Sequence, residues 1–364
     1  MLQHPKAFGD HEEYRVTERL GSGSYAHTYL VVFQGKKFAL KWMRPDTESG
    51  ARADKRFENE IWALEKLNHP SIPHLIATGE KEGRPYIVMS FAKGTQLRKL
   101  YEEQREERGA ISERKMLRIT AALLKTLAYI DGEGVFHRDL KDANVVFDDA
   151  SGRVTLLDFG MCKGPGKPAK ADTFWNAGAS RYSPPEKLKY PAKTHPTHDV
   201  FAVGVLGYQL LTNQFPWDAD AEEEDRGKLE DMMRTETPPR IHNVNTMVTR
   251  QTSEFYSSLL EIDDDRRPTA HEALAKLKQL EGTVGSHTRS IRAITYPRVI
   301  RDPLHSDIVM TEFEWKLMNS REFQRLRWLR QLATANFVYP GAEHTRFAHA
   351  VGTLHIASTI MRRI

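Results

Sequence analysis

Cysteine is nearly absent from this chain, and Cys162 is the single example among its 364 residues. One thiol cannot form a disulfide within the chain, so a fold that depends on internal disulfides is excluded. The first residues, MLQHPKAFGDHEEYR, also lack the apolar run of a signal peptide. Together these absences predict a cytoplasmic protein.

The chain also lacks a long hydrophobic run and a strong excess of charge of one sign. Its longest apolar stretch, DVFAVGVLGYQLL, is too short to span a bilayer, which takes about 20 apolar residues. The formal net charge of +4 is too small to indicate a nucleic-acid or membrane partner by itself. We therefore expect a soluble protein whose partners are neither membranes nor nucleic acids.

The remaining composition is that of a globular protein, with 40% hydrophobic and 28% charged residues. Single hydrophobic cores rarely grow beyond about 250–300 residues, so we expect one large domain and a smaller one. The N-terminal third contains four strand-like runs, YRVTERL, HTYLVVF, KKFALKWM and RPYIVMSF. They are interrupted by ADKRFENEIWALEKLN, where Phe57, Ile61, Leu64 and Leu67 form an apolar helical stripe.

From Ser112 onward the helical period dominates, as in SERKMLRITAALLKTLAYIDGEG and HDVFAVGVLGYQLLTN. We predict an α+β fold over residues 10–281, with a small antiparallel β lobe holding one helix and a larger α-helical lobe. The stretch GTVGSHTRS has no apolar period, which predicts a linker over residues 282–297. Residues 298–364 then form a further small helical segment.

The strongest functional signal is HRDLKDAN, followed by LLDFG. A phosphoryl donor needs a divalent metal on its phosphates, and the oxygen ligands of Asn144 and Asp158 suit a hard ion such as Mg²⁺. Asp139 is placed to orient an acceptor hydroxyl and take its proton. Lys141 would neutralise charge on the transferred group.

These residues resemble the catalytic loop and metal-binding segment of the eukaryotic-like (Hanks-type) protein kinases, and the resemblance runs from Tyr14 to Glu281. It implies a bilobal kinase fold, ATP as substrate and Mg²⁺ as cofactor, with Mn²⁺ as an alternative. The pattern DLKDAN, with Lys141 two residues after Asp139, resembles the serine/threonine branch of this family. The implied reaction is transfer of the ATP γ-phosphoryl group to a protein hydroxyl.

The resemblance also assigns a nucleotide site. Gly21 and Gly23 in LGSGSYAHTYLVV match a phosphate-binding hairpin, where glycines allow close backbone approach; a plain β-turn is the alternative. Lys41 in FALK matches the lysine that holds the α and β phosphates, and Glu60 matches its helix partner. The third glycine of the family is Ala26 here, so we expect weaker clamping.

In IVMSFAKGTQL, Met89 matches the residue lining the back of the adenine pocket. By the same resemblance, the Ser90 carbonyl and the Ala92 N–H would meet the purine. Glu186 in GASRYSPPE is expected to pair with Arg267.

Asp199 is expected to brace the catalytic loop. Ala179 stands where the serine/threonine branch usually carries a threonine that aligns the catalytic aspartate and lysine. Together with Ala26 it keeps a second hypothesis open, a nucleotide-binding pseudokinase-like switch. Arg138 precedes Asp139, as in kinases activated when an activation-loop phosphate pairs with that arginine.

Thr173 and Ser180 are the candidate phosphorylation sites, so the chain itself is one candidate protein substrate. We interpret Cys162 as an inert small hydrophobe, with a reactive thiol near the nucleotide as the alternative.

The stretch SREFQRLRWLRQLATANFVYPGAEHTRFAHAVGTLHIA resembles the N-terminal part of an HD-domain phosphohydrolase of the deoxynucleoside triphosphate triphosphohydrolase branch. The resemblance makes His349 the first metal ligand and places Arg346 near substrate phosphate. The other ligands of that family would fall beyond Ile364, so we expect neither an HD metal nor nucleotide hydrolysis from this segment, and an incomplete domain.

A histidine in an apolar helix is more often a hydrogen-bonded core residue than a ligand, and for His349 we favour that interpretation. The segment is a regulated or regulating partner of the kinase in one hypothesis and its effector in the other. It could dock on the kinase lobe, pair with another copy or serve as a kinase substrate, and the sequence leaves these alternatives open.

Overall fold

A computed structural model of the chain divides into two compact units, Met1–Leu280 and Glu281–Ile364. The residues that the structure describes are 7–9, 13–23, 25–44, 50–106, 110–164, 181–191, 193–217, 226–280, 298–302, 306–310, 312–329 and 345–361.

The first unit begins with a six-stranded antiparallel sheet in the order β1-β2-β3-β4-β6-β5. The strands are β1 Ala7–Phe8, β2 Tyr14–Ser22, β3 Ala26–Phe33, β4 Lys36–Met43, β5 Leu75–Lys81 and β6 Arg84–Ser90. Helix α1, Gly50–Lys66, lies between β4 and β5 in the chain. This is the antiparallel sheet with one helix that the sequence predicts.

Alternation along the strands sends two sets of apolar side chains to opposite faces of this sheet, because residues two apart share a face. One face gathers a separate, aromatic-rich cluster: Phe8, Tyr14, Tyr29, Val31, Leu40, Trp42, Tyr86 and Val88. The intervening residues Ile87 and Met89 belong to the large core, together with Phe57 and Leu64 of α1. The predicted apolar stripe of α1 therefore packs against the sheet.

The rest of the first unit is mainly helical. Its helices are α2 Leu97–Glu106, α3 Glu113–Gly132, α4 Pro185–Lys189, α5 Thr197–Thr212, α6 Arg226–Thr235, α7 Ile241–Val244, α8 Arg250–Leu259 and α9, residues 270–280. The predicted Ser112 cap is confirmed, since its side chain accepts a hydrogen bond from the Lys115 N–H. Every residue of α5 is buried, which makes this apolar segment the centre of the helical lobe.

A small sheet in the order β7-β8-β9 lies within this unit. Its strands are β7 Thr95–Gln96, β8 Val145–Asp148 and β9 Arg153–Leu156, and all pairings are antiparallel. Among the described helices, none combines the length and apolar character needed to cross a bilayer.

The second unit contains an antiparallel hairpin of β10 Arg298–Asp302 and β11 Ser306–Met310. Three helices follow, α10 Glu312–Met318, α11 Arg321–Gln324 and α12 Arg346–Met361, with a 3₁₀ turn at Arg325–Trp328. Its small core consists of Ile308, Met318, Phe347 and Val351. The predicted helical character holds, and the hairpin at its start is an addition to it.

Candidate active site

The β8–β9 hairpin brings Asn144 and Asp158 to the same end of the small sheet. Val145 pairs with Leu156 in the hairpin register, and one step further out the Leu157 N–H donates to the Asn144 carbonyl at 2.8 Å. Asp158 itself has a φ of 64°, a left-handed conformation that is uncommon outside glycine. Asp158 directly follows the residue that bonds to Asn144, so the two predicted metal ligands lie side by side at the end of the β8–β9 hairpin.

Asp139 is held by the residues that follow it on the same loop. The Lys141 ammonium donates to Asp139 Oδ2 at 2.7 Å, and both side chains are mostly buried, at 14% and 15% exposure. Asn144 Nδ2 donates to the Asp139 carbonyl at 2.8 Å and to Oδ2 at 3.2 Å. The side-chain nitrogen of Asn144 is therefore used in binding Asp139. The side-chain oxygen of Asn144 remains available as a ligand for a metal ion.

Asp199 braces the start of this loop, as the sequence predicts. Its two carboxylate oxygens accept hydrogen bonds from the backbone N–H groups of His137 and Arg138, each at 2.9 Å. Arg138 has a φ of 66°, so the chain turns sharply in front of Asp139. The buried carboxylate of Asp199 on α5 satisfies two backbone donors at that turn.

Lys41 on β4 joins the two lobes of the site. Its Nζ donates to Glu60 Oε2 on α1 at 2.6 Å and to Asp158 Oδ1 at 3.0 Å. Burial by itself lowers the pKa of Lys41, but the Asp158 and Glu60 carboxylates outweigh it and hold that pKa well above its usual value. The lysine therefore remains charged at neutral pH.

The pKa values of the Glu60 and Asp158 carboxylates shift in opposite directions. Burial raises the pKa of Glu60 to about 7, against the opposing effect of Lys41. Burial also acts to raise the pKa of Asp158, but Lys41 outweighs it and holds that pKa well below its usual range. Asp158 is thus a fixed anion and the better metal ligand of the two.

Tyr25 is a member of the site that the sequence reasoning missed. Its hydroxyl donates to Asp158 Oδ1 and accepts from Lys41 Nζ, both at 3.0 Å. Burial raises the pKa of Tyr25, and the Asp158 charge acts in the same direction. The available signal was its place two residues after Gly23, in the turn between two strands.

Gly21 and Gly23 lie where β2 turns into β3: Gly21 pairs with Thr28, and the Gly23 N–H donates to the Ala26 carbonyl at 2.9 Å. Neither is among the glycines of positive φ. A Cβ on Gly21 would meet nothing within 4 Å, and one on Gly23 only the Ala26 carbonyl at 3.7 Å. The fold of the described residues therefore gives no packing or turn reason for either glycine.

The predicted adenine-binding residues lie at the end of β6 and just beyond it. Met89 is buried on that strand at 7% exposure and Ser90 ends it, with the Ser90 N–H donating to the His74 carbonyl at 2.9 Å. Ala92 lies two residues beyond, in the segment that leads to the helical lobe.

Glu186 and Arg267 form the predicted buried pair. Arg267 Nη1 donates to Glu186 Oε1 at 2.7 Å and Nη2 donates to Oε2 at 3.3 Å. Cys162 is buried, and its Sγ donates to the Asn59 carbonyl at 3.6 Å. This burial agrees with the interpretation of Cys162 as a small hydrophobe, and its inertness stays a prediction.

Ala26 is buried in β3 and pairs with Met43. Thr173, Ala179 and Ser180 lie outside the described residues.

In the second unit, the interpretation of His349 as a core residue is wrong. Phe347 and Val351 occupy the buried face of α12, whereas His349 and Arg346 are exposed. The reason is register: Phe347 and Val351 are four residues apart and share a face, and His349 lies midway between them on the other side.

A family model for the protein kinase domain matches residues 14–277. A probable serine/threonine-protein kinase PknB of Lactococcus lactis is 31% identical over 61% of this chain and 34% of that protein. A probable serine/threonine-protein kinase, pknA2, of Bifidobacterium longum is 29% identical over 57% of this chain and 27% of its own length. The hormonally up-regulated neu tumor-associated kinase of Homo sapiens is 30% identical over 85% of this chain and 42% of its own length. The chain thus spans about a third of the length of these bacterial relatives.

Proposed function

The chain belongs to the protein kinase domain family, and we propose that it transfers the γ-phosphoryl group of ATP to a serine or threonine hydroxyl of a protein. Two sets of contacts carry the proposal: one links Lys41 to Glu60 and Asp158, and the other links Asp139 to Lys141 and Asn144. In the second set a lysine and an amide both donate to the Asp139 carboxylate, an arrangement that a simple structural ion pair would not need.

Lys41 is proposed to hold the α and β phosphates of ATP, with Glu60 fixing its position. A lysine bonded at 2.6 Å to a carboxylate of 2% exposure has little rotational freedom, so its charge is placed before ATP arrives. Gly21 and Gly23 have no Cβ atom, so the backbone N–H groups of this turn can approach the phosphate oxygens closely. The purine would lie against Met89, with the Ser90 carbonyl and the Ala92 N–H meeting its edge.

Asn144 and Asp158 are the residues that would hold Mg²⁺, or Mn²⁺ in its place. The test of fit is their donor set: an ionised carboxylate and an amide oxygen suit a hard divalent cation. When bound, such an ion neutralises phosphate charge and orients the phosphoryl group. Lys41 and Lys141 supply the remaining positive charge around the site.

Asp139 is proposed to accept the proton of the attacking hydroxyl. In that step the hydroxyl oxygen bonds to the γ-phosphorus, the bond from that phosphorus to the oxygen of ADP breaks, and the proton passes to the Asp139 carboxylate. The bonds from Lys141 and Asn144 to Oδ2 orient the carboxylate. Lys141 then lies close enough to offset charge on the moving phosphoryl group.

Tyr25 must leave its place before ATP can bind productively. Its hydroxyl lies within 3.0 Å of both Lys41 Nζ and Asp158 Oδ1, the two groups proposed to hold phosphate and metal. A phosphate oxygen and the phenol compete for the same donor. Nucleotide binding is therefore coupled to an outward movement of the Tyr25 side chain.

The second hypothesis, a pseudokinase-like switch, draws its support from Ala26, which replaces a glycine of the family and is buried at 3% exposure. Phosphate incorporation from radiolabelled ATP separates the two hypotheses. The kinase proposal predicts incorporation into the chain itself, at Thr173 or Ser180, or into casein, and its loss in Asp158→Ala. Equal incorporation by wild type and Asp158→Ala would contradict phosphoryl transfer at this site.

We further propose that residues 298–364 are the N-terminal part of an HD-domain phosphohydrolase whose state is coupled to the kinase. The exposure of Arg346 and His349 on α12 supports this proposal, because a ligand or a neighbouring segment has access to both. Cobalt titrated against the chain and against His349→Ala tests the role of His349: we expect no metal binding above the mutant level, and binding that His349→Ala abolishes would make this histidine a ligand in the chain itself.

A further inference from the structure

Lys187 is an unusual lysine in this unit. It follows Glu186 in helix α4, Pro185–Lys189, and its Nζ donates to the backbone carbonyl of Arg138 at 2.5 Å. Lys189, two residues on, is exposed. No sequence motif gives Lys187 a role, and it takes no part in the proposed phosphoryl-transfer step.

The carbonyl that Lys187 binds belongs to the peptide unit that leads into Asp139. Arg138 has a φ of 66°, a left-handed conformation that is unfavourable for a residue with a side chain. The Arg138 N–H is held by Asp199 Oδ1 at 2.9 Å, and its carbonyl is held by Lys187. The strained turn is thus fixed from both sides, by Asp199 on α5 and by Lys187 on α4.

The lysine is itself firmly anchored. Its neighbour Glu186 forms the two-bond buried pair with Arg267, and Leu188 lies in the large core. Because the residues on both sides of Lys187 are held in place, the backbone from which its side chain extends is also fixed. If the Arg138 carbonyl moved, Lys187 could not easily move with it, and the hydrogen bond between them would break.

We propose that Lys187 is a positioning residue for phosphoryl transfer, which fixes the Asp139 carboxylate by binding the peptide carbonyl in front of it. This inference rests on the proposed kinase function. The lysine touches neither ATP nor the acceptor; it acts through the backbone of the catalytic loop. A misplacement of about 1 Å in a catalytic group can lower a rate by 10²-fold, so one backbone hydrogen bond at this place is sufficient to matter.

Charge adds a second property that can be tested. Burial lowers the pKa of Lys187 to about 8, Asp199 and Asp139 act against it, and Arg138 and Lys141 act with it. Burial lowers the pKa of the His198 imidazole on α5, and the Lys187 charge acts in the same direction. The ammonium is therefore present below about pH 8 and is lost as the pH rises through that value. The charge-assisted hydrogen bond to the Arg138 carbonyl weakens with it.

The test compares Lys187→Met, Lys187→Arg and the control Lys189→Met, which removes an exposed lysine from the same helix. Phosphate transfer from radiolabelled ATP to the chain or to casein gives kcat, and binding of a fluorescent ATP analogue reports the nucleotide site separately. We expect Lys187→Met to lower kcat about 10- to 100-fold with unchanged nucleotide affinity and melting temperature. Lys189→Met should match wild type.

Lys187→Arg keeps a donor and a charge that does not titrate below about pH 12. It should retain most of the rate and should shift the alkaline decline of kcat, expected near pH 8 in wild type, to higher pH. A merely structural lysine would not move that profile.

Three results would overturn the inference. Lys187→Met could have the wild-type kcat; it could lose nucleotide affinity and melting temperature in step with kcat, which is the behaviour of a structural residue; or Lys187→Arg could keep the wild-type pH profile. A wild-type chain that transfers no phosphate at all would instead contradict the proposed function, and the two failures are thereby distinguished.

Discussion

Replacement of Tyr25 by phenylalanine removes one hydroxyl from the centre of the proposed ATP site and leaves the ring in place. The hydroxyl bonds to Asp158 Oδ1 and to Lys41 Nζ, both at 3.0 Å. The ring packs independently, with the Arg56 guanidinium 4.7 Å and Lys41 Nζ 4.9 Å from its centroid. The substitution therefore tests the competition between the hydroxyl and phosphate without opening a cavity.

The magnitude follows from the partners. A hydrogen bond to a charged group contributes about 1.5–3 kcal/mol. Lys41 and Asp158 also bond directly to each other at 3.0 Å, so part of the loss is recovered when the hydroxyl is removed. We take about 1.5 kcal/mol for the whole effect, and since 1.4 kcal/mol is tenfold in an equilibrium constant, ATP affinity should rise about tenfold.

Isothermal titration with a non-hydrolysable ATP analogue and Mg²⁺ measures this directly, for wild type, Tyr25→Phe and Tyr129→Phe. Tyr129 is the matched control, because its hydroxyl accepts one hydrogen bond from the Asn68 N–H at 2.9 Å and takes no part in the site. Tyr129→Phe should bind like wild type. Unchanged or weaker binding by Tyr25→Phe would refute the competition between the phenol and phosphate.

Three further predictions concern pH and stability. Because burial raises the pKa of Glu60 to about 7, its carboxylate is lost as the pH falls through that value, and the KM for ATP should rise between pH 8 and pH 6. Arg267→Met leaves the Glu186 carboxylate without its buried partner, and urea unfolding should show a loss of about 3–5 kcal/mol. Gly207→Ala places a Cβ 1.9 Å from a ring carbon of Tyr256, so overpacking should cost about 1–3 kcal/mol in the same assay.

Each of these has a control in the chain. Glu60→Gln should remove the pH dependence of KM, and a dependence that persists would assign it to another group. Arg250→Met breaks the exposed Arg250–Glu254 pair and should cost less than about 1 kcal/mol; a loss equal to that of Arg267→Met would contradict the role of burial. Gly132→Ala, where a Cβ meets nothing within 4 Å, should be neutral or slightly stabilising.

Much of the fold of the first unit can be predicted from the sequence because the hydrophobic periodicity of its strands and helices is clear. Apolar alternation in β3 and β4 and the stripe of α1 are local signals, and each predicts which face is buried. The Glu186–Arg267 pair and the bracing by Asp199 were predictable for another reason, the resemblance to kinases, since no local pattern joins residues so far apart in the chain.

The parts that sequence reasoning missed depend on side-chain direction in turns and short helices. Nothing in the spacing of Tyr25 indicates that its hydroxyl turns inward to Lys41 and Asp158. No sequence pattern gives Lys187 a role, and only the fold brings the Arg138 carbonyl to it. His349 was misjudged because the mostly apolar helix α12 buries only one stripe, which Phe347 and Val351 already fill.

Asp139 is proposed to act on a hydroxyl beside a phosphoryl donor held by Lys41 and Asp158. The decisive experiment is single-turnover transfer from radiolabelled ATP by wild type and Asp139→Asn, with nucleotide affinity measured in parallel. We expect Asp139→Asn to bind ATP like wild type and to transfer phosphate about 10²–10⁴-fold more slowly. Transfer at the wild-type rate by Asp139→Asn would rule out this role for the carboxylate.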